Sequence, residues 1–191
     1  MTFKARHIFR LIAVIVLGIC VFVVFLDYRD DFDRALDVPP TSHYADDIPN
    51  LVTAYYTRSD ASDMEWSVSE ALAPDQPIRR LVFVLFLVYT PQEKRVVAFL
   101  HYAQFGPVQG IERASLYHFD IHHSKLTAGE VLLLCDLAQG ADVPMNDPIA
   151  ALERRDALLS DLYARGFLSQ DVYRSECDRA LSLSVNPIPV K

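Results

Sequence analysis

His118, His122 and His123 are the side chains whose spacing first suggests chemistry, because two histidines four residues apart can share a metal ion. They straddle the end expected for a helix at Phe119 and have no cysteine beside them. A surface and loop role is therefore the competing reading, and no metal site is expected. Tyr55, Tyr56 and Trp66 have the rings to stack on sugars, although isolated aromatics serve equally well in a core or an interface. Cys135 and Cys177 either pair in an oxidising compartment or stay as two thiols, and both readings remain open. A net charge of −7 and a pI near 5.3 argue against nucleic acid and against a broad attraction to anionic lipid.

These residues follow an apolar run, Leu11 to Leu26 (LIAVIVLGICVFVVFL), that carries no charge. Each Leu, Ile, Val or Phe favours the bilayer by roughly 0.3 to 0.6 kcal/mol, so the run as a whole favours it by roughly 4 to 8 kcal/mol. With Ile8 and Phe9 added, and Arg10 snorkelling to the interface, it nearly spans the roughly 30 Å of a hydrocarbon core. Lys4, Arg6 and Arg10 precede it, and Asp27, Asp30, Asp31, Asp33 and Asp37 follow it. The positive-inside rule then places residues 1–10 in the cytoplasm, 11–26 in the membrane and the rest outside. A cleaved signal would need small residues just past a shorter apolar core, and VVFLDYRDD offers none.

Residues 27–47, including VPPTSHYADD, read as a linker, 48–183 as one domain and 184–191 as a loose tail. The domain reads as mostly helical. A short amphipathic segment begins at Ile48, and a helix from Asp60 or Ser62 closes before Pro74. Leu81 to Tyr89 (LVFVLFLVY) is apolar on every side, which leaves helix and strand both open. Thr90, Pro91 and Glu93 suggest a capping box for the helix EKRVVAFLHYA, and Thr127 with Glu130 suggests another for TAGEVLLLCDL. Gly110 to Phe119 is a short helix. Ile149 to Arg165 is the most amphipathic helix expected, closed by Gly166, and Ser169 caps a final helix.

In order along the chain, four segments resemble the glycosyltransferase family 51 domain, the peptidoglycan transglycosylase of penicillin-binding proteins and monofunctional enzymes. VVAFLHYAQFG resembles its Tyr-Leu-Asn and Phe-Gly stretch, with His101 at the asparagine and Phe105 and Gly106 kept. GIERASLYHFD resembles its Gly-(Ile/Val)-Glu-x-Ala helix through Gly110, Ile111, Glu112, Ala114 and Phe119. SKLTAGEVLLL is similar through Leu126, Thr127 and Glu130, and the stretch from Asn146 to Tyr173 through Pro148, Arg155, Gly166, Phe167, Leu168 and Ser169. The resemblance covers residues 77 to 183, with a fainter match at Ile48 to Asp60. It implies a mainly α fold with one N-terminal transmembrane helix and a lysozyme-like, transglycosylase-related domain on the periplasmic face of a bacterial inner membrane.

The same resemblance shows what is missing. Two family glutamates act on the sugar acceptor and on the departing pyrophosphate. The first falls at Ser59, with only Asp60 kept beside it, and the second falls a few residues before Thr90, where the chain has only Leu, Val, Phe and Tyr. The Gly-Gly-Ser-Thr-Ile-Thr-Gln-Gln stretch has no counterpart between Asp60 and Arg79. Loss of a general base alone costs about 10²- to 10⁴-fold in rate, so no catalytic residue is assigned. Glu112 matches a position with a structural role in the family. Arg79 and Arg80 stand where the family has an Arg-Lys pair, and are the candidate substrate-binding residues for a pyrophosphate. The competing reading makes them solvated or headgroup-facing cations. The expected function is a non-catalytic, membrane-anchored protein that binds a cell-wall synthase or its lipid-linked precursor, without cofactor. A diverged active transferase and an unrelated envelope interaction or immunity protein are the alternatives.

Overall fold

The computed structural model describes residues 28–29, 31–37, 47–57, 62–181 and 183–184. The apolar run 11–26, Ser59 and Asp60 lie outside the described residues. Among the described residues, no helix is long and apolar enough to cross a membrane. The fold is mainly helical, as the sequence pattern implies.

The centre is a helix that has no polar face. Ala128–Ala138 (α6) is buried without a break from Gly129 to Asp136, as an all-round apolar helix must be. Three elements enclose it: Asp47–Tyr56 (α1), Pro148–Ala164 (α7) and the strand Gln104–Phe105 (β1). Ser62–Leu72 (α2), Pro77–Val88 (α3) and Gln92–Tyr102 (α4) form a second layer in which α2 packs on both others. Tyr55, Tyr56, Phe99 and Phe105 join the layers as a chain of edge-on aromatic contacts, with centroids 4.9 to 5.5 Å apart. Tyr55 and Tyr56 are thus core residues.

The capping chemistry at Thr127 is as its sequence implies. The Glu130 N–H donates to Thr127 Oγ1 at 3.2 Å, and the Thr127 N–H donates back to Glu130 Oε2 at 2.8 Å. Ser169 accepts from the Val172 N–H and opens Gln170–Cys177 (α8). Gly166, with φ +78°, closes α7 in a Schellman turn: its N–H donates to the Tyr163 carbonyl and that of Phe167 to Leu162.

Two expectations need correction, one open alternative is settled, and one element lies outside the sequence pattern. The apolar segment before Thr90 is helix α3, started by Pro77 in its first turn, with Phe83 and Leu87 turned inward. The Thr90 box does not form. Thr90 Oγ1 donates to the Phe86 carbonyl at 2.9 Å and its N–H to Leu87, so it finishes α3, and α4 starts with no side-chain cap. A small hairpin, β1 with Val108–Gln109 (β2), lies between α4 and Ile111–Phe119 (α5), paired Gln104 to Gln109 and Phe105 to Val108. Finally, α7 is sorted less cleanly by polarity than its sequence suggested. It buries Arg155 among Ala151, Leu158, Leu159 and Leu162, and leaves Ile149 exposed.

Part of the segment read as linker is also structured. Residues 28–29 and 31–36 are helical, and Phe32 is buried against Phe83 and Phe86 of α3, at centroid distances of 5.4 and 5.0 Å. The Tyr102 hydroxyl of α4 donates to the Ala35 carbonyl at 2.7 Å, and burial pushes its pKa up.

Candidate functional site

The two candidate substrate-binding arginines sit in the first turn of α3. One residue apart on a helix, they diverge by about 100° and reach different neighbours. Arg79 donates to Asp31 Oδ2 at 3.0 Å and lies over the rings of Tyr28 and Phe83, at 5.5 and 5.1 Å. Arg80 donates to Glu70 Oε1 at 3.3 Å and to the Pro74 carbonyl at 2.5 Å, and lies 5.5 Å above the Trp66 ring. They do not form one cradle. Neither is a solvated surface cation, with side chains 24% and 16% exposed.

The partners decide what each can still do. Asp31 is 40% and Glu70 57% exposed, and ion pairs of this kind contribute at most about 1 kcal/mol. A phosphate-type anion with bidentate geometry can therefore displace either carboxylate. Arg79 is further held between two rings of the 28–36 segment and α3.

Trp66 and Glu70, the two side chains that Arg80 contacts, line a cleft of about 550 Å³. Trp66, Ser67 and Glu70 of α2 form one wall, Gln104 and Gly106 of the hairpin another, and residues 137–140 at the end of α6 its floor. Ser67 Oγ donates to the Ala138 carbonyl at 3.3 Å, and Gln104 Nε2 to the Gly106 carbonyl at 2.9 Å, which fixes the walls. The Gln139 amide oxygen lies 3.1 Å from the Tyr55 hydroxyl. An exposed indole beside a carboxylate, two amides and a guanidinium is the equipment for a sugar ring with an attached anion.

No acidic side chain lines α3, whose inward positions are Phe83 and Leu87. Glu112 is exposed in the first turn of α5, on the rim of a separate small pocket with His101 and Gln109. His122 and His123 lie together, with ring centroids 4.1 Å apart, and His123 is buried. His118 is buried, and since a carbonyl only accepts, its Nε2–H donates to Phe105 at 3.2 Å; burial lowers its pKa, and that hydrogen bond opposes the shift. His122 turns its Nδ1 to Ser124. Among the described residues no group of three His, Cys, Asp or Glu side chains is placed to hold a metal. Cys135 and Cys177 are free thiols, the first fully buried and therefore hard to ionise.

The sequence pattern alone did not single out Glu70, Gln104 or Gln139, because they come from three elements and share no spacing. Asp31 was also missed, although Tyr28, Phe32 and Leu36 repeat at four-residue intervals, which is the mark of a helix with one apolar stripe.

No protein-family model matches the chain. Over 78 residues, 40% of its length, it is 30% identical to penicillin-binding protein 1B of Buchnera aphidicola subsp. Acyrthosiphon pisum (strain APS). The chain spans 10% of that protein. The similarity is to a fragment of a penicillin-binding protein and suggests a peptidoglycan-related role at most.

Proposed function

We propose that this protein is a non-catalytic relative of the peptidoglycan glycosyltransferases that binds the lipid-linked precursor of the cell wall at the outer face of the bacterial inner membrane. The observation that supports this reading most is the make-up of the cleft beside Trp66 and Glu70. It keeps groups that bind, an indole and two amides, with the Arg80 guanidinium held on its Trp66 and Glu70 wall, and its one lining carboxylate, Glu70, is engaged by that guanidinium rather than free to remove a proton from an acceptor hydroxyl. The saccharide stacks on Trp66, and the pyrophosphate replaces Glu70 on Arg80. The partial likeness to penicillin-binding protein 1B supports the choice of ligand class. The same cleft would let the protein hold precursor for a cell-wall synthase.

Purified full-length protein is mixed with the lipid-linked disaccharide precursor, and two signals are read. No glycan polymer is expected. The fluorescence of Trp66, the single tryptophan of the chain, shifts on addition of precursor, and Arg80→Gln weakens the response by about tenfold, the size of one charge-assisted contact. Polymer that forms with the natural sequence and disappears in an Asp60→Ala, Glu112→Ala double variant would show a working transferase instead. An unchanged Trp66 signal at saturating precursor removes the cleft from consideration.

A further inference from the structure

Helix α3 is apolar on the side that faces away from the protein as well as on the side that faces in. Ile78, Leu81, Leu85, Val88 and Tyr89 are between 51% and 87% exposed. At 100° per residue they fall in one arc of about 100°, and residues 81–89 carry no charge to interrupt it. A water-soluble surface rarely leaves such a stripe on one helix. We infer that this outer face of α3 lies in the interfacial layer of the lipid bilayer, with the helix parallel to the membrane plane.

The inference rests on the reading of 11–26 as a membrane span, and the chain path supplies the argument. The apolar run ends at Leu26, and two residues later the Tyr28 ring is 6.5 Å from Phe83 and beneath Arg79. Phe32 then packs on Phe83 and Phe86. A chain that leaves the bilayer at Leu26 therefore brings the first turns of α3 within a few ångströms of the membrane surface. Tyr89, with Lys94 nearby, stands at the C-terminal end of the stripe. Aromatic and basic residues are those that settle at headgroup depth. The aspartates at 31, 33 and 37 oppose attraction to anionic headgroups, so apolar insertion supplies the contact. A second copy of the chain suits the stripe less well. A helix of twelve residues is about 18 Å long and about 10 Å wide, far short of the roughly 800 Å² per partner of a standard interface.

The test uses the full chain in lipid vesicles, with Trp66→Phe to clear the background. A new tryptophan is introduced either by Leu85→Trp on the stripe or by Ile149→Trp on α7, which is 72% exposed. Vesicles containing bromine-labelled acyl chains should quench the Leu85→Trp protein at least about twofold more than the Ile149→Trp protein. Leu81→Trp provides a second position if Leu85→Trp does not fold. Equal, weak quenching in protein that floats with the vesicles overturns the placement of α3 and leaves the span intact. A blue-shifted but unquenched Leu85→Trp signal overturns it too, because protein then covers the stripe. Protein that fails to float overturns the span and this inference together.

Discussion

Arg155 is a charge in the middle of an apolar face, and its surroundings explain why it is there. It is 2% exposed, donates to the Arg179 and Cys177 carbonyls at 2.5 and 3.1 Å, and pairs with Asp156 at 2.7 Å. The two carbonyls belong to the end of α8 and its exit, so Arg155 satisfies acceptors that the helix itself leaves open. Its stem runs over Gly129, where an added Cβ would meet Arg155 Cδ at 2.5 Å and Cγ at 2.7 Å. Glycine to alanine inside a helix ordinarily gains up to about 1 kcal/mol. Here the sign reverses: Gly129→Ala should cost about 1 to 3 kcal/mol, as overpacking does, in urea unfolding of the protein. His118 gives a second residue-level expectation. Its folded-state pKa lies below the ordinary 6.5, so as pH falls the unfolded chain takes up the proton first. Stability is then full above about pH 6.5 and declines below it, toward the lowered folded-state value. Unfolding at pH 7.5 and 5.5 should show a smaller acid loss in His118→Gln than in the natural sequence. Burial raises the Glu130 carboxyl, which the Thr127 bonds oppose, and this acts in the other direction at lower pH.

At the scale of elements, the legible features were those whose signal is local. Thr127, Glu130 and Ser169 announce helix starts because a cap needs only its own turn, and Gly166 announces an end because a left-handed position suits glycine. Thr127→Ala should therefore lower stability by about 1 kcal/mol, read as a shift in the urea midpoint with unchanged slope. The Thr90 box failed for a reason that lies outside its own helix. The turn between α3 and α4 is so short that Thr90 is drawn back to the Phe86 carbonyl of the helix it follows. Likewise, Leu81 to Tyr89 gave no period because both of its faces are apolar. Only the packing of Phe83 and Leu87 against the protein, and the absence of a partner for Leu81 and Leu85 among the described residues, separates one face from the other.

For the whole molecule, the decisive relations join parts far apart in sequence. Tyr55 donates to Asp136 at 2.8 Å, and Arg154 grips the same carboxylate at 2.6 and 2.8 Å, so one buried acid ties α1, α6 and α7. That pairing also raises the Arg154 pKa. Glu65, 1% exposed, pairs with Arg95 and ties α2 to α4. Neither partnership has a spacing that a sequence reading can recognise. The segment at 28–36 is the consequential case, because acidic composition and the prolines that follow suggested a linker while its Tyr28, Phe32 and Leu36 stripe belongs to the core. A linker would transmit nothing to the fold. If instead the segment is an integral helix, Phe32→Ala in the full chain should remove about 3 to 5 kcal/mol, the cost of truncating a buried phenylalanine. Tyr102→Phe, which loses only the bond to Ala35, should remove about 1 kcal/mol. Urea unfolding followed through Trp66 of α2 distinguishes the two cases: an unchanged midpoint in Phe32→Ala would restore the linker. A large shift would mean that the chain entering from Leu26 is fixed to α3, so that, if residues 11–26 span a membrane as proposed, the fold sets how α3 is presented to it.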